Sequence, residues 1–180
     1  MVDPADRGRP IVKGMAYLLA VDPSQNEALE ALEKKGGPSN FLRVLANRPQ
    51  AMADFLAFYR SVMGPGSVDR RLKEIIYLAV SSVNECTYCT SHHTKTAKAA
   101  GVTDEEIHAI TTENDQSFSD KDQAALKYAR ELTRTAASPE SLRYRLQELF
   151  SNEQVVEITM IIGVANFTNR FNNGLAVPND

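Results

Sequence analysis

The chain has 180 residues, 43% of them hydrophobic and 24% charged, with a formal net charge of −3 at neutral pH. This is the composition of one globular domain, able to bury roughly 70% of its unfolded surface without disulfides or metals. The mild acidity and the lack of a Lys/Arg run argue against nucleic-acid binding, where phosphate neutralisation supplies most of the affinity. No apolar run approaches the ~18 residues of a membrane span, and the opening MVDPADRGRP lacks the apolar stretch of a secretory signal. Two cysteines without signal or anchor point to the cytoplasm, where a close thiol pair is more often catalytic or metal-binding than structural.

Taken in chain order, the pattern is helical throughout, with no convincing period-2 strand and no internal repeat. The expectation is an all-α, compact multi-helix bundle of about eight helices in a single domain, 1–180. Residues 1–22 read as an N-terminal arm over the body. Pro23 to Lys35 gives a short polar helix stopped by Gly36-Gly37-Pro38. Ser39-Asn40 caps FLRVLANR, and Pro49 opens QAMADFLAFYRSVM at a position that tolerates proline. Gly64-Pro65-Gly66 ends that helix.

Ser67 reads as the N-cap of VDRRLKEIIYLAVSSVN, which ends near Asn84. From Ile75 onward this segment is apolar on most of its circumference (Ile76, Leu78, Ala79, Val80, Val83), so it belongs at the centre of the fold. A further helix begins around Cys86 and runs to Ala100, with Gly101 as its stop. Thr103 opens a capping box, T-D-E-E. After a polar loop come KDQAALKYARELTRTA, then SPESLRYRLQELF. The last helix starts near Ser151 and carries VVEITMIIGVANFTNRF. The polar residues near its end (Asn166, Asn169, Arg170, Asn172) read as a face at a subunit contact.

The chemistry concentrates in NECTYCTSHH, Asn84 to His93. Side chains three apart on a regular helix have Cβ atoms ~5–6 Å apart, whereas a disulfide wants roughly 3.5–4.5 Å. Cys86 and Cys89 therefore close most easily in a first turn, where unpaired N–H groups also favour a thiolate. His93 lies one turn beyond Cys89 on the same face, placed to take a thiol proton directly or through water. His92 is rotated by ~100° and faces elsewhere, as a surface or interface histidine.

Glu74 sits at the edge of the buried helix. There an ionised carboxylate costs several kcal/mol unless it is paired, and its simplest partner is Arg70 or Arg71 on a partly wet edge. Covalent haem attachment fails because Thr90, not histidine, follows Cys89. Structural zinc would join the cysteines to His93 and His108, but the usual second ligand pair is missing. An inert buried cysteine pair remains open.

Glu74, eleven residues, Cys86-Thr87-Tyr88-Cys89, three residues and His93 make E-x₁₁-C-x₂-C-x₃-H. This resembles the signature of the AhpD-like alkylhydroperoxidases of the carboxymuconolactone decarboxylase superfamily. NFLRVLANRP, VSSVNECTYCTSHH and NRFNNGL are similar to its peroxidase-related branch, over a family core of about residues 38–175.

The resemblance implies a cysteine-dependent peroxidase that reduces alkyl or hydrogen peroxides. In that scheme Cys89 meets the peroxide, Cys86 resolves the sulfenic acid into a disulfide, and His93 with Glu74 relays the proton. It also implies no bound cofactor, an external dithiol reductant (lipoyl or thioredoxin-like) as partner protein, and a homo-oligomer, trimer or hexamer. Well-known members carry histidine beside the second cysteine where this chain has Tyr88, a poor base with a reference pKa near 10. A thiol redox sensor or interaction protein, and a decarboxylase-branch enzyme acting on a small lactone, are the competing readings.

Overall fold

The computed structural model describes residues 20–33 and 37–180; the arm expected over residues 1–22 lies almost wholly outside them. Among the described residues the chain forms nine α-helices and no strand: α1 (Glu27–Glu33), α2 (Asn40–Leu45), α3 (Pro49–Met63), α4 (Arg70–Val83), α5 (Thr87–Ala99), α6 (Asp104–Thr112), α7 (Asp120–Thr135), α8 (Glu140–Leu149) and α9 (Asn152–Gly174).

The start and stop signals acted largely as the sequence predicts. Ser39, Thr103 and Ser151 each accept a backbone N–H as N-caps, Thr103–Glu106 and Ser151–Gln154 form capping boxes, and Ser119, read only as part of a polar loop, caps α7 as well. Gly101, with φ +88, closes α5 in the left-handed conformation. Some boundaries moved, among them the end of α2, at Leu45 rather than Arg48, and two helix starts. The segment from Pro23 splits into a 3₁₀ turn, Pro23–Gln25, and α1, because the Asn26 side chain caps the N–H groups of Ala28 and Leu29. Helix α4 starts at Arg70 with Asp69 as its cap, not at Ser67. The reason is tertiary: Glu157 of α9 takes the N–H groups of Ser67 and Val68, which holds that stretch out of the helix.

Helix α4 is the hub, packed against α5, α6, α7 and α9. Its residues from Leu72 to Ser81 are all buried, as expected for a helix apolar nearly all round. Two of them carry charge. The Lys73 ammonium, 1% exposed, pairs with Glu157 and donates to the carbonyls of Val62 and Gly64. Glu74, 0% exposed, faces the other way, towards α5. Burying such ions costs several kcal/mol each unless good partners compensate, so both positions indicate built environments.

Candidate active site: a cysteine pair, a buried carboxylate–histidine dyad and an apolar cavity

The turn from α4 into α5 places the sulfurs. Cys86 N–H donates to the Ser81 carbonyl at 3.0 Å, and Glu85 N–H to that of Ser82 at 3.1 Å. Glu85 adopts φ 52, so α4 ends in a Schellman motif with glutamate in the left-handed position usually held by glycine. The next residue, Cys86, is already the N-cap of α5, and its Sγ accepts the Cys89 N–H at 3.3 Å.

Cys86 and Cys89 are joined as a disulfide with Cα atoms 5.3 Å apart. The first-turn position lets the backbone bring them together, as their spacing predicts. Cys86 is 0% and Cys89 3% exposed, so the pair is almost wholly buried. An asparagine ladder on α9 clamps the turn. Asn84 donates to the side-chain oxygens of Asn166 and Asn169, Asn169 donates to Ser81, and Asn173 donates to the Asn84 carbonyl.

Glu74 reaches α5 from below. Its Oε2 lies 2.8 Å from His93 Nδ1 and accepts the Thr96 hydroxyl at 2.7 Å, while its Oε1 pairs with Arg70 at 2.6 Å. Glu74 therefore contacts both His93 and Arg70, while Arg71 instead pairs with Glu106 and Asp122.

Burial works against the Glu74 carboxylate. The His93 hydrogen bond, the Thr96 hydroxyl and Arg70 outweigh it and hold its pKa below the ordinary value. Burial also pushes the His93 pKa below 6.5, more strongly than Glu74 raises it. The pair is thus carboxylate plus neutral imidazole at neutral pH. An ionised carboxylate only accepts, so Nδ1 carries the proton and Nε2 is left as the base. The Tyr77 ring stacks on His93 at 3.5 Å and 16°, which fixes the imidazole plane.

A cavity of about 280 Å³ opens beside these groups. Phe41, Leu42, Phe55, Leu56, Tyr59 and Tyr77 give it an apolar wall, and Cys89 and His93 line it together. Cys86 is not among its lining residues, so Cys89 is the sulfur that a molecule in the cavity meets. His92 also lines it, exposed, with its ring edge-on to His93 at 5.4 Å. The expectation that His92 faces away is corrected: the helix brings it to the rim.

Tyr88 is a clasp. Its hydroxyl accepts the Phe41 N–H at 3.3 Å and donates to Asp180 Oδ2 at 2.9 Å. Burial pushes its pKa up to about 12, which removes it as a base at neutral pH. His108 is exposed on α6, and no group of three or more His, Cys, Asp or Glu side chains among the described residues is arranged to hold a metal ion.

Residues 49–131 match the Carboxymuconolactone decarboxylase family. The protein YdfG of Bacillus subtilis (strain 168) is 32% identical over 107 residues, covering 58% of this chain and 73% of that protein. The chain belongs to the carboxymuconolactone decarboxylase family. Its fold is AhpD-like. A peroxidase-related protein of Ralstonia eutropha JMP134, described as an alkylhydroperoxidase AhpD core, superposes with TM-score 0.81 at 20% identity, over 94% of this chain and 95% of that one. The debrominase Bmp8 superposes with TM-score 0.78 at 22% identity, over 89% and 90%.

The family match spans α3 to α7 and so includes Glu74, Cys86, Cys89 and His93. Helix α9 lies beyond it, and there the sequence reading needs correcting. Asn169 and Asn172 are 0% and 3% exposed; they face the cysteine turn rather than a subunit contact. Asn172 Nδ2 donates to Cys89 Sγ at 3.3 Å. Asparagines repeating every three residues on one helix face were the available signal, but only packing shows which way that face points.

Proposed function

We propose that the chain is a cysteine-dependent peroxidase that reduces alkyl or hydrogen peroxides through a Cys86/Cys89 dithiol–disulfide cycle. The observation that carries this reading is the buried Glu74–His93 dyad beside a closed cysteine pair whose Cys89 lines the cavity. A buried carboxylate and a neutral imidazole with one free nitrogen are the parts needed to move a thiol proton.

In the reduced pair, His93 takes the Cys89 proton, directly or through water, and Glu74 holds the resulting imidazolium. The thiolate attacks the distal peroxide oxygen: an S–O bond forms, the O–O bond breaks, and the alkoxide leaves with the proton from His93. The sulfur has given two electrons. The Cys86 thiol then gives its proton to His93 and attacks the Cys89 sulfenic sulfur; the S–S bond forms and hydroxide departs as water. An external dithiol, lipoyl or thioredoxin-like, returns two electrons and two protons. Copies of the chain associate, in this reading, and Phe58 and Phe167, 48% and 47% exposed, support such a contact.

The test is continuous peroxide consumption with a dithiol donor, together with mass analysis of alkylated thiols before and after a peroxide pulse. Turnover with Cys86–Cys89 pairing is expected, and Cys89→Ser abolishes it. One oxidation without turnover would indicate a redox sensor. Consumption that survives Cys89→Ser overturns the mechanism. Decarboxylation of a lactone makes no use of a cysteine pair, which weighs against that branch.

The aromatic cavity wall favours a second reading, reductive removal of halogen from an aryl halide. There Cys89 takes the halogen, the carbon keeps the bonding electron pair and gains a proton, and Cys86 displaces halide to give the same disulfide. Halide release without peroxide consumption would select it.

A further inference from the structure

We propose that Asn172 is a further catalytic residue, whose side-chain amide makes Cys89, rather than Cys86, the thiolate of the reduced pair. The proposal rests on the cysteine cycle above but concerns only the protonation of the thiols. Local helix physics favours the other sulfur. Cys86 is the N-cap of α5, its Sγ accepts the Cys89 N–H, and it sits at the positive end of the helix dipole. In a cysteine pair governed by its own helix, the first sulfur ionises first. Yet Cys89, not Cys86, lines the cavity with His93. His93 of α5 can take the Cys89 proton, and a donor aimed at the sulfur itself would hold the resulting thiolate.

Asn172 reaches in from α9 and donates Nδ2–H to Cys89 Sγ at 3.3 Å, with the residue 3% exposed. The orientation of the amide follows from chemistry: a disulfide sulfur has no proton, so only the NH₂ end can face it. Against a neutral sulfur this bond is weak. Against a thiolate it becomes charge-assisted and roughly twice as strong, in a site where little water competes.

The other end of the amide points to the same conclusion. Among the described residues Asn172 Oδ1 is buried with no hydrogen-bond partner, and its residue lines the cavity. A buried acceptor without a donor is unfavourable. The NH₂ end is thus committed to Cys89 Sγ, and no acceptor contact of Oδ1 turns the amide away from it.

Because the chain has two cysteines, Cys86→Ser leaves Cys89 as its only thiol. Thiolate ultraviolet absorbance is then titrated in Cys86→Ser and in Cys86→Ser/Asn172→Ala. The expected result is a Cys89 pKa at least about one unit higher without the amide, a tenfold loss of thiolate well below the pKa. Asn172→Gln, which keeps the donor, should restore part of it. In the intact dithiol chain, alkylation mapped by mass analysis should label Cys89 first in the wild type and lose that preference in Asn172→Ala. An unchanged Cys89 pKa in a folded variant overturns the proposal.

Should the alanine variant not fold, the native asparagine reports for itself. In Cys86→Ser the Asn172 side-chain NH₂ resonances should shift with the same midpoint as the Cys89 thiolate. Resonances that stay fixed through that titration also overturn it. None of these measurements contains peroxide. A reduced protein that ignores peroxide while its Cys89 pKa depends on Asn172 would reject the peroxidase reading and leave this one standing.

Discussion

Glu74→Gln keeps the shape of the side chain and removes its charge, so it separates what the carboxylate does from what the space does. In the wild type, Glu74 engages His93 at 2.8 Å, Thr96 at 2.7 Å and Arg70 at 2.6 Å. Hydrogen bonds to a charged group contribute roughly 1.5–3 kcal/mol and neutral ones roughly 0.5–1.5 kcal/mol, so exchanging kinds weakens the cluster. The Arg70 pair adds little, because that side chain is 50% exposed. Relief from burying an anion works in the opposite direction. The net stability loss should therefore be modest, about 1 kcal/mol.

Catalysis should suffer more than stability. Without the carboxylate charge the imidazolium loses its counter-ion, and loss of such a partner typically costs about 10–100-fold. Peroxide consumption by the variant should slow by that factor.

Stability against pH supplies an independent readout. His93 has a folded pKa below its ordinary 6.5, so its contribution is complete above that value and is lost as pH falls. Glu74 lies below its ordinary 4.5, so its contribution is present above 4.5 and disappears as pH falls through the folded value. In Glu74→Gln the lower step should vanish. The His93 step should deepen, because the group that raises its pKa is gone. Urea unfolding at a series of pH values, beside initial rates with a dithiol donor, measures both. A folded variant with an unchanged rate and an unchanged pH profile would refute the dyad.

Tyr88→Phe removes the hydroxyl that ties α2 to Asp180 and should lower unfolding stability by about 1 kcal/mol in denaturant titration. Because the hydroxyl pKa is pushed up to about 12, the pH profile of peroxide consumption around neutrality should keep its shape; a lost basic limb would show that Tyr88 takes part in proton transfer. Glu85→Gly replaces a residue held at φ 52 and should raise stability by roughly 0.5–1 kcal/mol in thermal or urea unfolding. Destabilisation instead would mean that the Glu85 side chain does more for the turn than its backbone costs.

The sequence by itself determined the elements and pointed to the residues of the candidate site. Caps and breakers such as Ser39, Pro49, Gly101, Thr103 and Ser151 act within a few residues, so the helices they bound could be read directly. The spacing of Cys86, Cys89 and His93 is likewise local, since one turn of one helix decides which side chains share a face. Glu74 joined them through the family pattern and not through local physics.

Tertiary structure decided the rest. Glu157 holds Ser67 out of α4 from 90 residues away, an interaction no local signal encodes. The six-residue apolar wall of the cavity comes from α2, α3 and α4, and sequence order does not reveal their convergence on Cys89. The largest change concerns the end of α9. A helical period shows that Asn166, Asn169 and Asn172 lie near one face, but a period has no direction. Whether that face meets solvent, another subunit or Cys89 depends on how α9 rotates against α4 and α5. That rotation is set by packing across the whole core.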